Sequence, residues 1–396
     1  MYNNTPKSNR LHISIFGKRN AGKSSLINAI TNQSLSVVSN IPGTTTDPVS
    51  KSMELLPLGP IVLVDTAGLD DSGSLGELRI NKTKEVIDKT DLAVLVFDGC
   101  NSNISDELKW YDELKLKNIP IIGVINKIDL GKNNCLYIKS NFNIPFAEIS
   151  AKEKINISGV KKLMIENAPI DFEMPTILGD LINPKDKVVL VAPQDIQAPK
   201  GRLILPQVQV IRDILDNNAL ALTVKDTELA DILEGLKEEP SLIVTDSQMF
   251  KKVNELIPEH LRLTSFSILM ARYKGDLKLF VEGAKVINQL KPNDKILIAE
   301  ACTHHALKGD IAREKLPHLL ERKVGGKLDI VNISGVDFPK DLSEYKLIIQ
   351  CGSCMFTRKQ LLSRLEHTKE QNIPITNFGV ALAELNGILD RACSFL

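Results

Sequence analysis

The segment GKRNAGKSSL has the spacing of a phosphate-binding loop, with Gly17, Gly22, Lys23 and Ser24 at its defining positions. It follows a short apolar run and precedes a segment of helical periodicity, so backbone N–H groups and the helix dipole favour a phosphate there. Lys23 is expected to neutralise the β and γ phosphates, and the Ser24 hydroxyl to ligate Mg²⁺. The residues expected to contact the nucleotide here are Gly17, Asn20, Ala21, Gly22, Lys23, Ser24 and Ser25.

Two further motifs follow predicted strands and extend this site. Asp65, in VDTAG, is expected to serve the Mg²⁺ shell, and the Gly68 amide to meet the γ-phosphate. In NKID, Asn126 and Asp129 are expected to read guanine, because a carboxylate accepts hydrogen bonds from the ring N–H and the exocyclic amine. Lys127 would pack along the base. ATP as the substrate would leave this motif unexplained, so the pattern predicts GTP.

These motifs occur in the order found in translation-factor-like GTPases, and the last of them is SAK, whose backbone is expected to complete the base pocket. The residues of that segment are Ser150, Ala151 and Lys152. The combination resembles the GTPase superfamily over about residues 10–170. The resemblance implies a P-loop fold that hydrolyses GTP with Mg²⁺.

The segment PGTTTD resembles the first switch element of the Era and MnmE group of GTPases. This resemblance implies that Thr45 ligates Mg²⁺, although Thr46 stands where the group usually has arginine. Asn20 has two readings: it supports a bound K⁺ that stimulates hydrolysis, or it only shapes the loop. Leu69 replaces the water-orienting glutamine of Ras-type proteins, so hydrolysis is expected to be slow. The catalytic candidates are Lys23, Thr45 and Gly68.

A second group of chemically reactive side chains follows two other apolar runs. Cys302 and His304 come after KILIAEA, and Cys351 and Cys354 come after KLIIQ. Loops beyond the carboxyl ends of parallel strands converge, so three thiols and an imidazole are expected to meet at one place. Such a set fits a tetrahedral zinc ion, or a 4Fe–4S cluster with one iron left for another ligand. Spacing does not choose between these metals, and a third interpretation is two unrelated buried cysteines plus a reactive dithiol.

Three segments together with the GTPase motifs resemble the HydF family, the maturation GTPases of iron–iron hydrogenases: APKGRLILPQ, ACTHHALKGD and CGSCMFTR. The resemblance covers essentially the whole chain. It implies a 4Fe–4S cluster on Cys302, Cys351 and Cys354, with an exchangeable fourth site. Gln350 stands where many members have histidine, so that ligand is excluded here. The candidates for the fourth site are His304, His305, a carboxylate such as Asp195, and an external ligand.

The HydF resemblance also implies a function, that of a scaffold or carrier for the diiron subcluster precursor. Family members receive this cargo from the radical-SAM maturases HydE and HydG and deliver it to the apo-hydrogenase HydA. They are commonly homodimers through the middle domain. Two alternatives are a tRNA-modification or ribosome-assembly GTPase with a structural zinc domain, and a redox enzyme that uses the cluster for electron transfer. An iron–sulfur protein is brown and a zinc protein is colourless, so the colour of the purified protein distinguishes the cluster carrier from the zinc-containing alternative.

The composition is that of an ordinary globular protein of 396 residues. Lys plus Arg and Asp plus Glu both number 49, so no basic excess indicates a nucleic-acid partner. No apolar run is long enough to span a bilayer, and the first residues lack a secretory core, so a cytoplasmic location and no membrane partner are expected. Six cysteines in a reducing compartment favour metal or thiol chemistry over disulfides.

The elements that must position these groups are predicted from alternating apolar runs and amphipathic segments. This rhythm is typical of α/β domains with mainly parallel sheets. A segment rich in Pro, Asp and Asn interrupts it after residue 166 and is predicted to be a linker. The predicted domains are a P-loop GTPase domain at 1–172, a smaller middle dimerisation domain at 173–265 and a smaller cluster-binding domain at 266–396.

Overall fold

The computed structural model describes most of the chain, in the ranges 10–31, 49–66, 86–131, 134–169, 176–193, 203–301, 310–335, 337–353 and 355–396. The chain forms two compact units, Met1–Glu173 and Met174–Leu396. The first contains a six-stranded sheet and the second contains two four-stranded sheets. Within the described ranges, no helix is both long enough and apolar enough to cross a membrane.

The first unit is an α/β layer structure. Its strands are β1 (Leu11–Phe16), β2 (Val49–Leu55), β3 (Gly59–Asp65), β4 (Leu92–Asp98), β5 (Ile121–Asn126) and β6 (Phe146–Glu148). Its helices are α1 (Lys23–Thr31), α2 (Ser105–Leu116), α3 (Cys135–Ser140) and α4 (Ile157–Glu166). The strand order is β2-β3-β1-β4-β5-β6, in which β2 is antiparallel to β3 and the other described pairings are parallel. Strands β1 and β5 are buried throughout, because helices cover both faces of a parallel sheet.

The strand order places the predicted nucleotide motifs at one edge of this sheet. Strand β1 lies between β3 and β4, so the chain leaves β1 at the point where the order of strands reverses. In open α/β sheets, ligands bind at such a point, beyond the carboxyl ends of the strands. The phosphate loop follows β1, VDTAG begins at the end of β3, and NKID begins at the end of β5.

The second unit contains two all-parallel sheets. The first has the order β10-β9-β7-β8 and the second β12-β11-β13-β14. The strands are β7 (Lys187–Val191), β8 (Leu220–Val224), β9 (Leu242–Thr245), β10 (Leu263–Ser265), β11 (Lys295–Glu300), β12 (Asp329–Ser334), β13 (Leu347–Gln350) and β14 (Ile375–Asn377). The helices are α5 (Leu205–Asp216), α6 (Leu229–Gly235), α7 (Phe250–Leu256), α8 (Phe266–Lys274), α9 (Leu277–Lys285), α10 (Leu316–Val324), α11 (Arg358–Glu370), α12 (Phe378–Leu385) and α13 (Leu389–Cys393). The predicted fold class is therefore confirmed.

The two sheets of the second unit share one apolar core. Val189 and Ile243 of the first sheet belong to the same buried cluster as Leu297 and Ile348 of the second. This shared core explains why the second unit is compact as a whole, while the three-domain division with a boundary at residue 265 stays a prediction.

Candidate functional site

The loop between β1 and α1 depends on two glycines. Gly22 has φ of +94°, and a Cβ there would lie 2.1 Å from Asn126 Nδ2. Gly17 has φ of +146°, and a Cβ there would lie 2.3 Å from a carbonyl oxygen of β4. A side chain at either position would be strained, so the loop can pass this close to its neighbours only because both residues lack one.

The Lys23 side chain lies inside this loop. It is 7% exposed, and its Nζ donates to the carbonyl oxygens of Gly17 at 2.6 Å and Lys18 at 2.8 Å. The loop therefore holds a positive charge directly beside the backbone N–H groups at the start of α1. This combination of a cation and a helix amino terminus attracts phosphate.

Ser24 and Asp65 meet at the start of α1 and the end of β3. The Ser24 hydroxyl donates to Asp65 Oδ2 at 2.5 Å. Asp65 Oδ1 is buried, and no group in the described ranges donates a hydrogen bond to it. A buried carboxylate oxygen without a partner is costly, and oxygen ligands are those that Mg²⁺ prefers. The pair therefore fits a Mg²⁺ ion, which would supply charge neutralisation beside the phosphates.

Asn126 links the two sides of the cleft. Its Nδ2 donates to the Ala21 carbonyl at 2.9 Å, and its Oδ1 accepts from the Ala151 backbone N–H at 2.9 Å. The side chain is 3% exposed. One amide hydrogen is left for a base, because an asparagine amide has two. Asn126 thus connects the phosphate loop to the segment Ser150–Lys152 through these two hydrogen bonds.

Asp129 and Lys127 follow the end of β5 and line the same cleft. A hydrogen bond from the Ser150 side chain lowers the pKa of the Asp129 carboxyl below its ordinary value, which keeps it an acceptor. Lys127 has φ of +67°, and its Nζ forms an ion pair with Asp98 Oδ2 at 2.6 Å. That ion pair fixes the end of the Lys127 side chain, and Lys127 also lines the cleft.

These elements surround a cleft of about 740 Å³. Its lining includes, among the predicted nucleotide contacts, Asn20, Gly22, Lys23, Ser24, Ser25, Asp65, Asn126, Lys127, Asp129, Ser150, Ala151 and Lys152. Gly17 and Ala21 do not line the cleft, but their carbonyl oxygens accept hydrogen bonds from Lys23 and Asn126, which do. Asn20 has φ of +62°, so its backbone contributes to the curl of the loop. Thr45, Thr46, Gly68 and Leu69 lie outside the described residues.

Several residues at this site carry no motif and were not predicted from the sequence. Arg19 and Leu130 line the cleft. Lys18 Nζ lies 3.3 Å from Glu107 Oε2 on α2, and it also donates to the Asn103 carbonyl. Glu107 is 2% exposed, and its burial raises the pKa of its carboxyl above the ordinary value. Lys18 directly follows Gly17, so this contact connects the phosphate loop to α2. The only feature of the sequence that could have indicated it is the position of Glu107 among the buried residues of α2.

The second candidate site lies at the carboxyl edge of the sheet that contains β11 and β13. These strands are adjacent and parallel, with Ala299 opposite Gln350. Cys351 Sγ accepts hydrogen bonds from the backbone N–H of Ala301 at 3.0 Å and of Ser353 at 3.4 Å. Gln350 Nε2 lies 3.7 Å from the same sulfur. Donors aimed at a cysteine sulfur favour the thiolate, the form that ligates metals.

The chain neighbours of the other predicted ligands are therefore close to Cys351. Ala301 precedes Cys302, and Ser353 precedes Cys354. Cys302, His304, His305, Cys354 and Asp195 themselves lie outside the described residues. Among the residues that are described, no three His, Cys, Asp or Glu side chains are grouped as a metal site. The surroundings of Cys351 fit an iron–sulfur ligand, because hydrogen bonds to sulfur are a regular feature of such ligands.

Comparison with known proteins agrees with the geometry of the first unit. A family model described as a 50S ribosome-binding GTPase matches residues 12–127. The tRNA modification GTPase MnmE of Thermoanaerobacter sp. (strain X514) is 34% identical over 185 residues, which are 46% of this chain and 37% of that protein. MnmE of Endomicrobium trichonymphae is 35% identical over 164 residues, 40% of this chain and 36% of that protein. This chain thus spans just over a third of the length of these curated relatives.

A solved structure also resembles part of the chain. Era of Aquifex aeolicus, bound to GDP and AlF₄⁻, has a TM-score of 0.35 and 20% identity, and the match covers 54% of this chain and 94% of that one. By its family match and its MnmE relatives, the first unit is a GTPase domain of the P-loop class, which implies GTP and Mg²⁺.

The second unit identifies the family. A model of the hydrogen maturase F dimerization domain matches residues 177–275, and one of the hydrogen maturase F tetramerization domain matches residues 278–395. Together they cover more than half of the chain, behind the GTPase domain. The chain belongs to the hydrogen maturase F (HydF) family. The presence of both assembly domains indicates that it forms an oligomer.

Proposed function

We propose that the chain is a cytoplasmic GTPase that holds a 4Fe–4S cluster and carries the diiron subcluster precursor of hydrogenase. In the first unit, Lys23 binds the β and γ phosphates, Ser24 and Thr45 ligate Mg²⁺, and Asp65 supports the Mg²⁺ shell. The Gly68 amide meets the γ-phosphate. The enclosed position of the Lys23 ammonium and the unpartnered Asp65 Oδ1 support these roles.

Guanine recognition falls to the other side of the cleft. Asn126 and Asp129 read the base, Lys127 packs along it, and the backbone of Ser150–Lys152 closes the pocket. Asp129 supports this role because a hydrogen bond from Ser150 keeps it ionised. Asn20, whose backbone shapes the loop, is proposed to support K⁺ beside the phosphates, where a cation offsets negative charge in the transition state.

In the second unit, the cluster binds to Cys302, Cys351 and Cys354, with His304 a candidate for the fourth position. The single observation that carries this proposal is the 3.0 Å hydrogen bond from the Ala301 N–H to Cys351 Sγ. It shows that the two strands which lead into the predicted ligand segments end side by side. Three thiolates leave one iron open to an exchangeable ligand, which suits a carrier.

The cargo is the diiron precursor, received from HydE and HydG and delivered to HydA. The family membership supports these partners, and GTP-dependent changes in the GTPase domain would alter partner affinity. We also propose a homodimer through the middle domain. Its edge strand β8 and the neighbouring helix α5 expose apolar side chains, namely Leu220 at 51%, Leu215 at 53% and Val208 at 47%. Such an edge pairs readily with another chain.

Anaerobic reconstitution of the full chain tests the cluster. Wild type, Cys351→Ser and Cys393→Ser are treated with iron and sulfide, and iron, sulfide and zinc are measured beside EPR of the reduced protein. Cys393 is the matched control, because burial raises the pKa of its thiol to about 12 and it lies on α13. We expect about four irons in wild type and the control, and loss of the reduced-cluster signal in Cys351→Ser. One zinc and no reducible cluster in wild type would instead favour a GTPase with a structural zinc domain.

GTP hydrolysis is tested separately, so that the two units are judged independently. Phosphate release is measured with Mg²⁺ and either K⁺ or Na⁺, for wild type and Asn20→Ala. We expect slow hydrolysis that K⁺ stimulates in wild type and that responds less to K⁺ in the variant. Equal rates in K⁺ and Na⁺ would remove K⁺ from the proposal and leave the GTPase assignment intact.

A further inference from the structure

The guanidinium of Arg364, on α11, is held by several contacts, one of them to Gln350, the residue before Cys351. Its central carbon lies over the rings of Phe338 and Phe356, at 4.7 Å and 4.4 Å from their centroids. Its Nη2 donates to the Gly335 carbonyl at 2.8 Å, and its Nη1 donates to Gln350 Oε1 at 2.9 Å. The two ring contacts and the two hydrogen bonds together restrict the orientation of the guanidinium.

This buried cation lacks a direct carboxylate partner. Arg364 is 7% exposed, and no carboxylate in the described part of the chain lies within ion-pair distance of it. The exposed Asp337 acts on it only from a longer range, and burial lowers its pKa to about 10, so it stays charged at neutral pH. Burying a charge without an opposite one is costly. Of the two groups whose negative charge acts on Arg364, Cys351 and Asp337, the Cys351 thiolate has the larger effect.

Gln350 connects Arg364 to this sulfur. Its side chain is fully buried, and its Oε1 is held by Arg364. That contact fixes which end of the amide is the acceptor, so the Nε2 end faces Ser353 Oγ at 3.1 Å and Cys351 Sγ at 3.7 Å. A glutamine bound in this way presents N–H bonds towards the sulfur instead of a lone pair.

A second buried cation contacts residues that follow Cys351. Lys274, at the end of α8, is fully buried, and its Nζ donates to the Phe356 carbonyl at 3.1 Å and the Ser353 carbonyl at 3.4 Å. Ser353 has φ of +51°, and its hydroxyl donates to the Cys351 carbonyl at 3.1 Å. The segment that carries Cys351 is therefore positioned by groups that are themselves buried, as a metal-ligand segment requires.

We propose that Arg364 and Gln350 form a positioning pair that directs N–H bonds and a fixed positive charge at the Cys351 sulfur, and so raises the reduction potential of the bound cluster. This inference rests on the proposed cluster-binding function. Reduction adds one electron and makes a thiolate-bound cluster more negative. Donors and positive charge beside a ligand sulfur stabilise that reduced form more than the oxidised one.

The test compares cluster potentials in full-length protein reconstituted anaerobically. The variants are Gln350→Glu, which keeps the acceptor for Arg364 but removes the donor, and Arg364→Lys, which keeps the charge but not the two-pronged contact. Arg322→Lys, at an exposed position on α10, is the control. An EPR-monitored redox titration gives each potential, and iron content and melting temperature are recorded for each protein.

We expect Gln350→Glu to shift the one-electron equilibrium at least tenfold towards the oxidised form, about 59 mV. Arg364→Lys should shift it less in the same direction, and the control should leave it unchanged. Loss of iron from Gln350→Glu at an unchanged melting temperature would also support the pair, because the sulfur would then be misplaced in a folded protein. Variant clusters that are intact and have the wild-type potential would overturn it. Wild type without any iron cluster would sink the proposed function instead, and this inference with it.

Discussion

Replacement of Asn126 by alanine should weaken GTP binding about 30-fold. The side chain makes two buried hydrogen bonds, to the Ala21 carbonyl and from the Ala151 N–H, both at 2.9 Å. Each hydrogen bond is worth roughly 1 kcal/mol, so their loss should destabilise the GTP-binding arrangement of the phosphate loop and base pocket by about 2 kcal/mol. At 1.4 kcal/mol for each tenfold change, this corresponds to about 30-fold in Kd.

The assay is equilibrium titration with a fluorescent GTP analogue at fixed salt and Mg²⁺. Asn167→Ala is the matched control, because Asn167 also donates to a backbone carbonyl, at 2.9 Å, but lies at the end of α4 and outside the cleft lining. The control should bind like wild type. A Kd for Asn126→Ala within about threefold of wild type, in a folded protein, would refute the reasoning, since the two buried bonds would then contribute almost nothing to the cleft.

Three further predictions concern single positions. Gly22→Ala should lower GTP affinity by about 2 kcal/mol in the same titration, because φ is +94° and the new methyl would lie 2.1 Å from Asn126 Nδ2; an unchanged Kd would contradict this. Ser150→Ala should raise the pKa of the Asp129 carboxyl in an NMR titration, because the hydrogen bond that lowers this pKa in wild type is removed. As pH falls, Asp129 of the variant would be protonated earlier, so guanine binding should disappear at a higher pH than in wild type. Gly283→Ala should destabilise the second unit by about 2 kcal/mol, since its Cβ would lie 2.0 Å from a carbonyl oxygen of β14. Calorimetry should show a melting temperature roughly 4–8 °C lower. An unchanged melting temperature would contradict this prediction, because α9 would then move away from β14 without a cost in stability.

Much of this protein follows from short-range patterns in its sequence. The phosphate loop is readable because the chemistry needs glycine, lysine and serine at fixed separations on a strand, a turn and a helix. The parallel sheets are readable because strands covered on both faces become continuous apolar runs. The segment around Cys351 is recognisable for the same reason, since a thiol that follows such a run lies at the edge of a sheet.

Contacts between distant segments could not be predicted in this way. Glu107 lies against Lys18, and Asp98 pairs with Lys127, through a sheet whose strand order is not written in any local pattern. The sequence shows Arg364 only as one of many charged residues on a helix, and its hydrogen bond to Gln350, the residue before Cys351, appears only in the folded structure.

The sequence by itself determined which chemical groups are present, which turns hold them, and that the sheets are mainly parallel. Only the tertiary structure decided which strands are neighbours, and therefore that Asn126 joins the phosphate loop to the base pocket and that the Ala301 N–H reaches Cys351 Sγ. The physical reason is that backbone propensity and hydrophobic period act over a few residues, whereas the pairing of strands depends on the packing of the whole core.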